Sequence, residues 1–186
     1  MNYNRFFLLS SFLILSTLIA CENNLKEVEK LSSKKVSIPV DRSTGVEIVY
    51  SDSARVKAKL IAPELLHFKT SNPYYEMKKG VDIIFLDGDQ KESSRVRADY
   101  AIRYTNEKKV ELKRNVVATN QKGETFRSDE LIWNEEKKRF TSNKVVSITS
   151  KGNTLSGTSF WANENFSYYE ITQGTGDISL TDKQGF

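Results

Sequence analysis

SRVRADYAIRYTNEKKVELKRNVVAT, residues 94–119, is the stretch from which the fold is read. Val96, Ala98, Tyr100, Ile102 and Tyr104 fall on one parity, and Arg95, Arg97, Asp99 and Arg103 on the other. Alternation of period two marks a strand with one buried face. Residues 106–109 form a polar turn and residues 110–119 resume an extended, Val-rich run, so the stretch predicts strand, hairpin turn, strand.

The pattern returns as FRSDELIWNEEKKRFTSNKVVSIT at 126–149 and as LSGTSFWANENFSYYEITQGTGDI at 155–178. A looser copy at 56–86 carries an insertion around residues 70–73. Tyr104, Trp133 and Trp161 precede the turns at spacings of 29 and 28 residues. Regular hairpins occur in any all-β protein. The shared Asn-Glu turn residues and the aromatic ahead of each turn favour true repetition. In the second copy Phe126 and Ser128 share parity with Ile132, whereas Leu131 and Trp133 lie on the other, which suggests a bulge.

Working outward, Val46, Ile48 and Tyr50 alternate with Glu47 and Val49, Asp52-Ser53 turns the chain, and Val56, Ala58 and Leu60 alternate with Arg55, Lys57 and Lys59. Ser71-Asn72-Pro73 and Asp87-Gly88 are further turn signals. No stretch holds a 3.6-residue period over three turns, so the body is all β.

Toward the N-terminus, Arg5 precedes a 15-residue apolar run, 6–20, too short for a bilayer span of roughly 20 residues. It fits an export signal, and Leu18-Ile19-Ala20-Cys21 resembles a bacterial lipobox. Residues 1–20 are thus expected to be a lipoprotein signal peptide, with Cys21, the only cysteine, the site of lipid attachment. An uncleaved anchor with an incidental cysteine is the alternative; both give a membrane address. Residues 21–42 are polar and charged and are read as a lipid-anchored linker, with the folded domain at 43–182.

The chain carries 28 Lys+Arg against 24 Asp+Glu, net +4, spread along successive strands. Nucleic-acid binders concentrate such charge on a recognised module, and none is present. His67, the single histidine, sits between Leu66 and Phe68 and has a structural role. Asp87 and Asp89 lack the later ligands of a calcium loop, and Gly174-Thr175-Gly176 opens no helix that would cradle phosphate. No catalytic set, cofactor or metal site is expected.

Taken together, the anchor, the linker and the repeated β units resemble the LptC family of lipopolysaccharide-export components. The resemblance rests on Gly45-Val46-Glu47-Ile48-Val49-Tyr50-Ser51-Asp52-Ser53, Arg55-Val56-Lys57-Ala58, Arg95-Val96-Arg97-Ala98, Leu155-Ser156-Gly157 and the final strand pair at 168–178. The departure is the anchor, a transmembrane helix in the best-known members and a lipoprotein cysteine here. The resemblance implies an open antiparallel β-jellyroll, a V-shaped trough at the periplasmic face of the inner membrane, with the outer membrane as the alternative address. Val56, Ala58, Leu60, Val96, Ala98, Tyr100, Phe126 and Leu155 are expected to line the trough. Burial at about 25 cal/mol per Å² only roughly offsets taking a lipid tail from the bilayer, so transfer needs energy from outside. The resemblance implies an ATP-driven transporter (LptB, LptF, LptG) delivering lipopolysaccharide, and a soluble LptA-like bridge protein receiving it. Val46, Ile48 and Tyr50 on the first strand, and Tyr168 and Ile178 on the last, are expected at partner edges. Gly157 is either a partner contact or a close backbone approach. The other reading of the chain is an envelope scaffold lipoprotein with a filled β core and no lipid transfer.

Overall fold

A computed structural model describes residues 39–177, and every regular element there is a strand. In chain order these are β1 (Val40–Asp52), β2 (Arg55–Phe68), β3 (Tyr74–Met77), β4 (Val81–Leu86), β5 (Glu92–Ala98), β6 (Tyr100–Tyr104), β7 (Lys109–Asn120), β8 (Thr125–Asn134), β9 (Arg139–Ser142), β10 (Val146–Ser150), β11 (Asn153–Asn163) and β12 (Tyr169–Asp177). All pair antiparallel in one sheet, consistent with an open β-jellyroll. The first strand begins at Val40, inside the stretch expected to be linker; the expected signal peptide, Cys21 and Ile178 lie outside the described residues.

A line of backbone breaks crosses this sheet and divides it into two half-sheets. In β1 the break is Gly45, whose φ of 61° suits a residue without a Cβ, and it lies opposite Pro63 of β2. It continues through Asp99, which separates β5 from β6, and through Arg114 and Asn115 of β7, both at positive φ and together facing Asp129 alone. Two residues against one is a β-bulge. This is the bulge that the parity change after Ser128 foretold, with the extra residue on β7: inward positions switch from Phe126 to Leu131 and Trp133. The interval between β9 and β10, then Ser159 and Gln173 at positive φ, complete the line.

On one side of it, parts of β1, β2, β4, β5, β7, β8, β10, β11 and β12 pair in that order; on the other the order is β1, β2, β3, β6, β7, β8, β9, β11, β12. The two half-sheets face each other across rings. Phe85 lies 5.0 Å from Trp133 and 5.7 Å from Phe140, and Phe126 lies 5.9 Å from Phe160. Edge-to-face and tilted pairs at such distances are favourable beyond the area they bury.

The repeated turns are real: 105–108, 135–138 and 164–168 close the hairpins β6–β7, β8–β9 and β11–β12. The aromatics ahead of them are not equivalent. Tyr104 pairs with Lys109 in the register that continues to Asn134, whereas Trp133 pairs with Val110 and Phe140 and points inward. Equal spacing in sequence therefore does not place them in one cross-strand row.

Candidate functional site

One inward row crosses the first half-sheet from β1 to β11: Ile48, Leu60, Ile83, Val96, Ala118, Phe126, Ile148 and Leu155 are successive cross-strand partners. Four residues expected to line the trough, Leu60, Val96, Phe126 and Leu155, fall in this row. The next rows add Ala58, beside Tyr50 and Phe85, and Ala98, beside Val81. Val56 shares the parity of Ala58 and is half-buried. In its middle the row is closed: Leu60, Val96 and Phe126 are 0 % exposed and belong to one continuous core. It opens at the ends, where Ile48 is half-buried and Leu155 is 38 % exposed.

Tyr100 does not line this interior. The break at Asp99 shifts the phase, so that Ala101 points inward while Tyr100 lies on the outer face; its hydroxyl donates to Glu76 Oε1 at 2.7 Å and Arg114 covers its ring. An aspartate within an otherwise alternating strand gave little warning of the shift.

Where the free ends of the half-sheets meet, the interior is not filled. A cavity of about 610 Å³ opens there, a volume typical of ligand sites. Tyr50, Ala58, Phe85 and Trp133 form its apolar wall, and its rim is charged with Asp52, Lys57, Lys108, Glu135, Lys138 and Glu164. The residues come from turns in different units, which no single sequence motif brings together. Polar contacts span this mouth. Lys138 Nζ lies 3.1 Å from Asp52 Oδ2. Arg103 donates to both oxygens of Glu135, Nε to Oε1 at 2.6 Å and Nη2 to Oε2 at 3.0 Å, and Tyr50 donates its hydroxyl to the same carboxylate at 3.4 Å. Burial pushes the Tyr50 hydroxyl well above its usual range, and the Glu135 carboxylate raises Arg103 further. Tyr50 therefore remains a neutral donor.

Glu164 closes the far side of the mouth, accepting the indole N–H of Trp133 at 3.0 Å. Burial raises its carboxyl above the usual carboxylate value of 4.5; the Trp133 bond and the charges of Lys138 and Lys57 oppose the rise, while Glu135 adds to it. The folded state therefore keeps a proton that the unfolded chain has released, and stability falls as pH rises through this window. Glu164→Gln, which retains an acceptor for Trp133, is expected to flatten that decline, measured as urea midpoints between about pH 4 and 8; an unaltered pH profile would show that Glu164 is not its source.

At the sheet borders, among the described residues, β1 pairs only with β2 and β12 only with β11, so each leaves an edge free there. Val46, Ile48 and Tyr50 lie on the first, half-buried against the core. Tyr168 precedes β12 in the turn and is 61 % exposed. Gly157 is not at an edge. It pairs with Val146 of β10 and lies beneath β12, where a Cβ would stand 2.8 Å from Thr172 O and 3.0 Å from Gly174 Cα. Of the two readings of Gly157, the geometry supports close backbone approach. His67 stacks on Tyr75 at 4.4 Å, and Asp87 accepts from the N–H groups of Asp89 and Lys91, as a turn aspartate does. Among the described residues no cluster fit to hold a metal occurs, and no helix is long and apolar enough to cross a membrane.

Free edges at both borders and an apolar interior exposed at its ends define an open-ended jellyroll. The chain belongs to the LptC family: the family model described as "Lipopolysaccharide-assembly, LptC-related" matches residues 7–173. This places it among the components of lipopolysaccharide export that work at the periplasmic side of the inner membrane. No curated protein matches the chain significantly.

Proposed function

We propose that the chain takes lipopolysaccharide from the inner-membrane transporter LptB–LptF–LptG at its β1 edge and passes it to an LptA-like bridge protein at its β12 edge. It does so without catalysis, held to the membrane by lipid on Cys21. The observation that carries this reading is the inward row, which runs continuously from the border strand β1 to β11, the neighbour of the border strand β12, and is half-buried at Ile48 and 38 % exposed at Leu155. Strand addition at an unpaired edge extends such a row into a neighbour through main-chain hydrogen bonds. The cavity at the mouth supports the same reading, because its apolar wall and charged rim suit an amphiphile. Cys21 follows an apolar run too short to span a bilayer, which supports a lipid anchor.

One observation favours the scaffold reading: the middle of the row is filled by the protein's own side chains. Photo-crosslinking in cells separates the two. With a benzophenone side chain at Val56 or Leu155, which face inward at opposite parts of the domain, lipopolysaccharide is expected to be captured. The same group at outward-facing Tyr100 is expected to capture none. Purely intramolecular products at both inward positions would leave the scaffold reading standing.

A further inference from the structure

Among the described residues, every apolar side chain of the core cluster but one is carried by a strand. The exception is Phe166, in the turn between β11 and β12, which is 0 % exposed. Its ring lies 4.9 Å from Phe126 and 4.9 Å from Phe140, and 6.5 Å from Phe160, so it is inserted between the two half-sheets. Its backbone adopts φ of 51°, in the left-handed region that an aromatic residue seldom occupies.

The Ala162–Tyr169 pair closes this hairpin, but residues 164–168 themselves make no ladder pair. Two local backbone bonds shape it, from Phe166 N to Asn163 O and from Asn163 N to Tyr168 O. Three side chains tether it: Ser94 donates to Glu164 O, Asn120 to Phe166 O, and Trp133 to the Glu164 carboxylate. Each of these partners can be replaced by water when the turn moves, whereas no strand can leave without breaking its ladder. Asn163, Glu164 and Asn165 also border the cavity at the mouth. The segment that walls the entrance is thus the one that fills the space behind it.

We propose that Phe166 is an exchangeable plug. When an acyl chain enters at the mouth, turn 164–168 swings outward, and saturated hydrocarbon takes the slot between Phe126, Phe140 and Phe160 that the ring now fills. The walls of that slot are aromatic, so its replacement occupant must be apolar; a polar headgroup would remain at the charged rim. This proposal rests on the conduit reading and adds to it how a filled interior admits lipid.

The test uses the full chain reconstituted in nanodiscs and two probes, purified lipopolysaccharide and dodecanoate. Lipopolysaccharide is expected to speed hydrogen exchange at the bonded amides of Asn163 and Phe166 at least tenfold. Dodecanoate is expected to bind Phe166→Ala at least tenfold more tightly than the unsubstituted chain, with Phe166→Leu between them; if Phe166→Ala does not fold, Phe166→Leu alone carries this comparison. Binding of lipopolysaccharide with exchange at the turn unchanged or slowed would overturn the plug and leave the conduit intact. Failure of lipopolysaccharide to bind at all would overturn the conduit and the exchange it implies. Equal dodecanoate affinity in all folded variants would show that no hydrocarbon slot lies beneath Phe166.

Discussion

Phe126→Ala is expected to lower the unfolding free energy by about 3–5 kcal/mol, the cost of removing a fully buried aromatic ring and leaving its cavity. Phe126 is 0 % exposed, belongs to the inward row, and touches Phe160 and Tyr169 of the opposite half-sheet as well as Phe166. Its loss therefore weakens the contact between the half-sheets as well as the packing within one. Against a total of roughly 5–15 kcal/mol for a domain, this is a large fraction. Urea unfolding of the substituted chain beside Leu155→Ala provides the check. Leu155 lies in the same row but is 38 % exposed, and its truncation is expected to cost about 1 kcal/mol or less. Equal costs at the two positions would mean that the row is no more closed at its centre than at its border.

The second large effect is expected at Gly157. Any Cβ there meets Thr172 O at 2.8 Å and Gly174 Cα at 3.0 Å, both main-chain atoms that cannot turn aside as a flexible side chain would. Gly157→Arg is expected to detach β12 and, on the proposed conduit reading, to abolish co-purification with an LptA-like bridge protein, since the border strand on that side is β12 itself. Amides in residues 169–177 are expected to lose exchange protection, while the β1–β2 pairing retains its own. Gly157→Ala separates the added carbon from the added charge and is expected to show the same loss in weaker form. Full protection of β12 in the arginine variant would refute the packing account.

Much of this architecture was legible in the chain because alternation reports burial wherever a strand is regular. Val96, Ala98 and Leu60 were placed on one face by parity; Phe126 was not, because its unit changes phase; and turns such as Asp52-Ser53 and Asp87-Gly88 announced themselves by residue type. Parity fails where the register changes. Tyr100 was expected inside because it continues the alternation of Val96 and Ala98, yet the break at Asp99 turns it out. The mouth was hidden for a different reason. Tyr50, Trp133, Glu135 and Glu164 come from three hairpins, and their meeting depends on the two half-sheets facing each other. Phe166 directly follows Asn163-Glu164-Asn165, the residues read as the polar third turn, and was not assigned to the core. The available signal was an aromatic side chain where the corresponding turns at 105–108 and 135–138 have none.

The inward row also sets the grain on which cargo would travel. Neighbouring strands stand roughly 4.8 Å apart, so a hydrocarbon tail laid along the row spans several rungs at once. Advancing by a single rung exchanges one apolar neighbour for another, aliphatic at every rung but Phe126. Such a track would offer shallow minima and no intrinsic direction, so on the conduit reading direction would have to come from outside the domain.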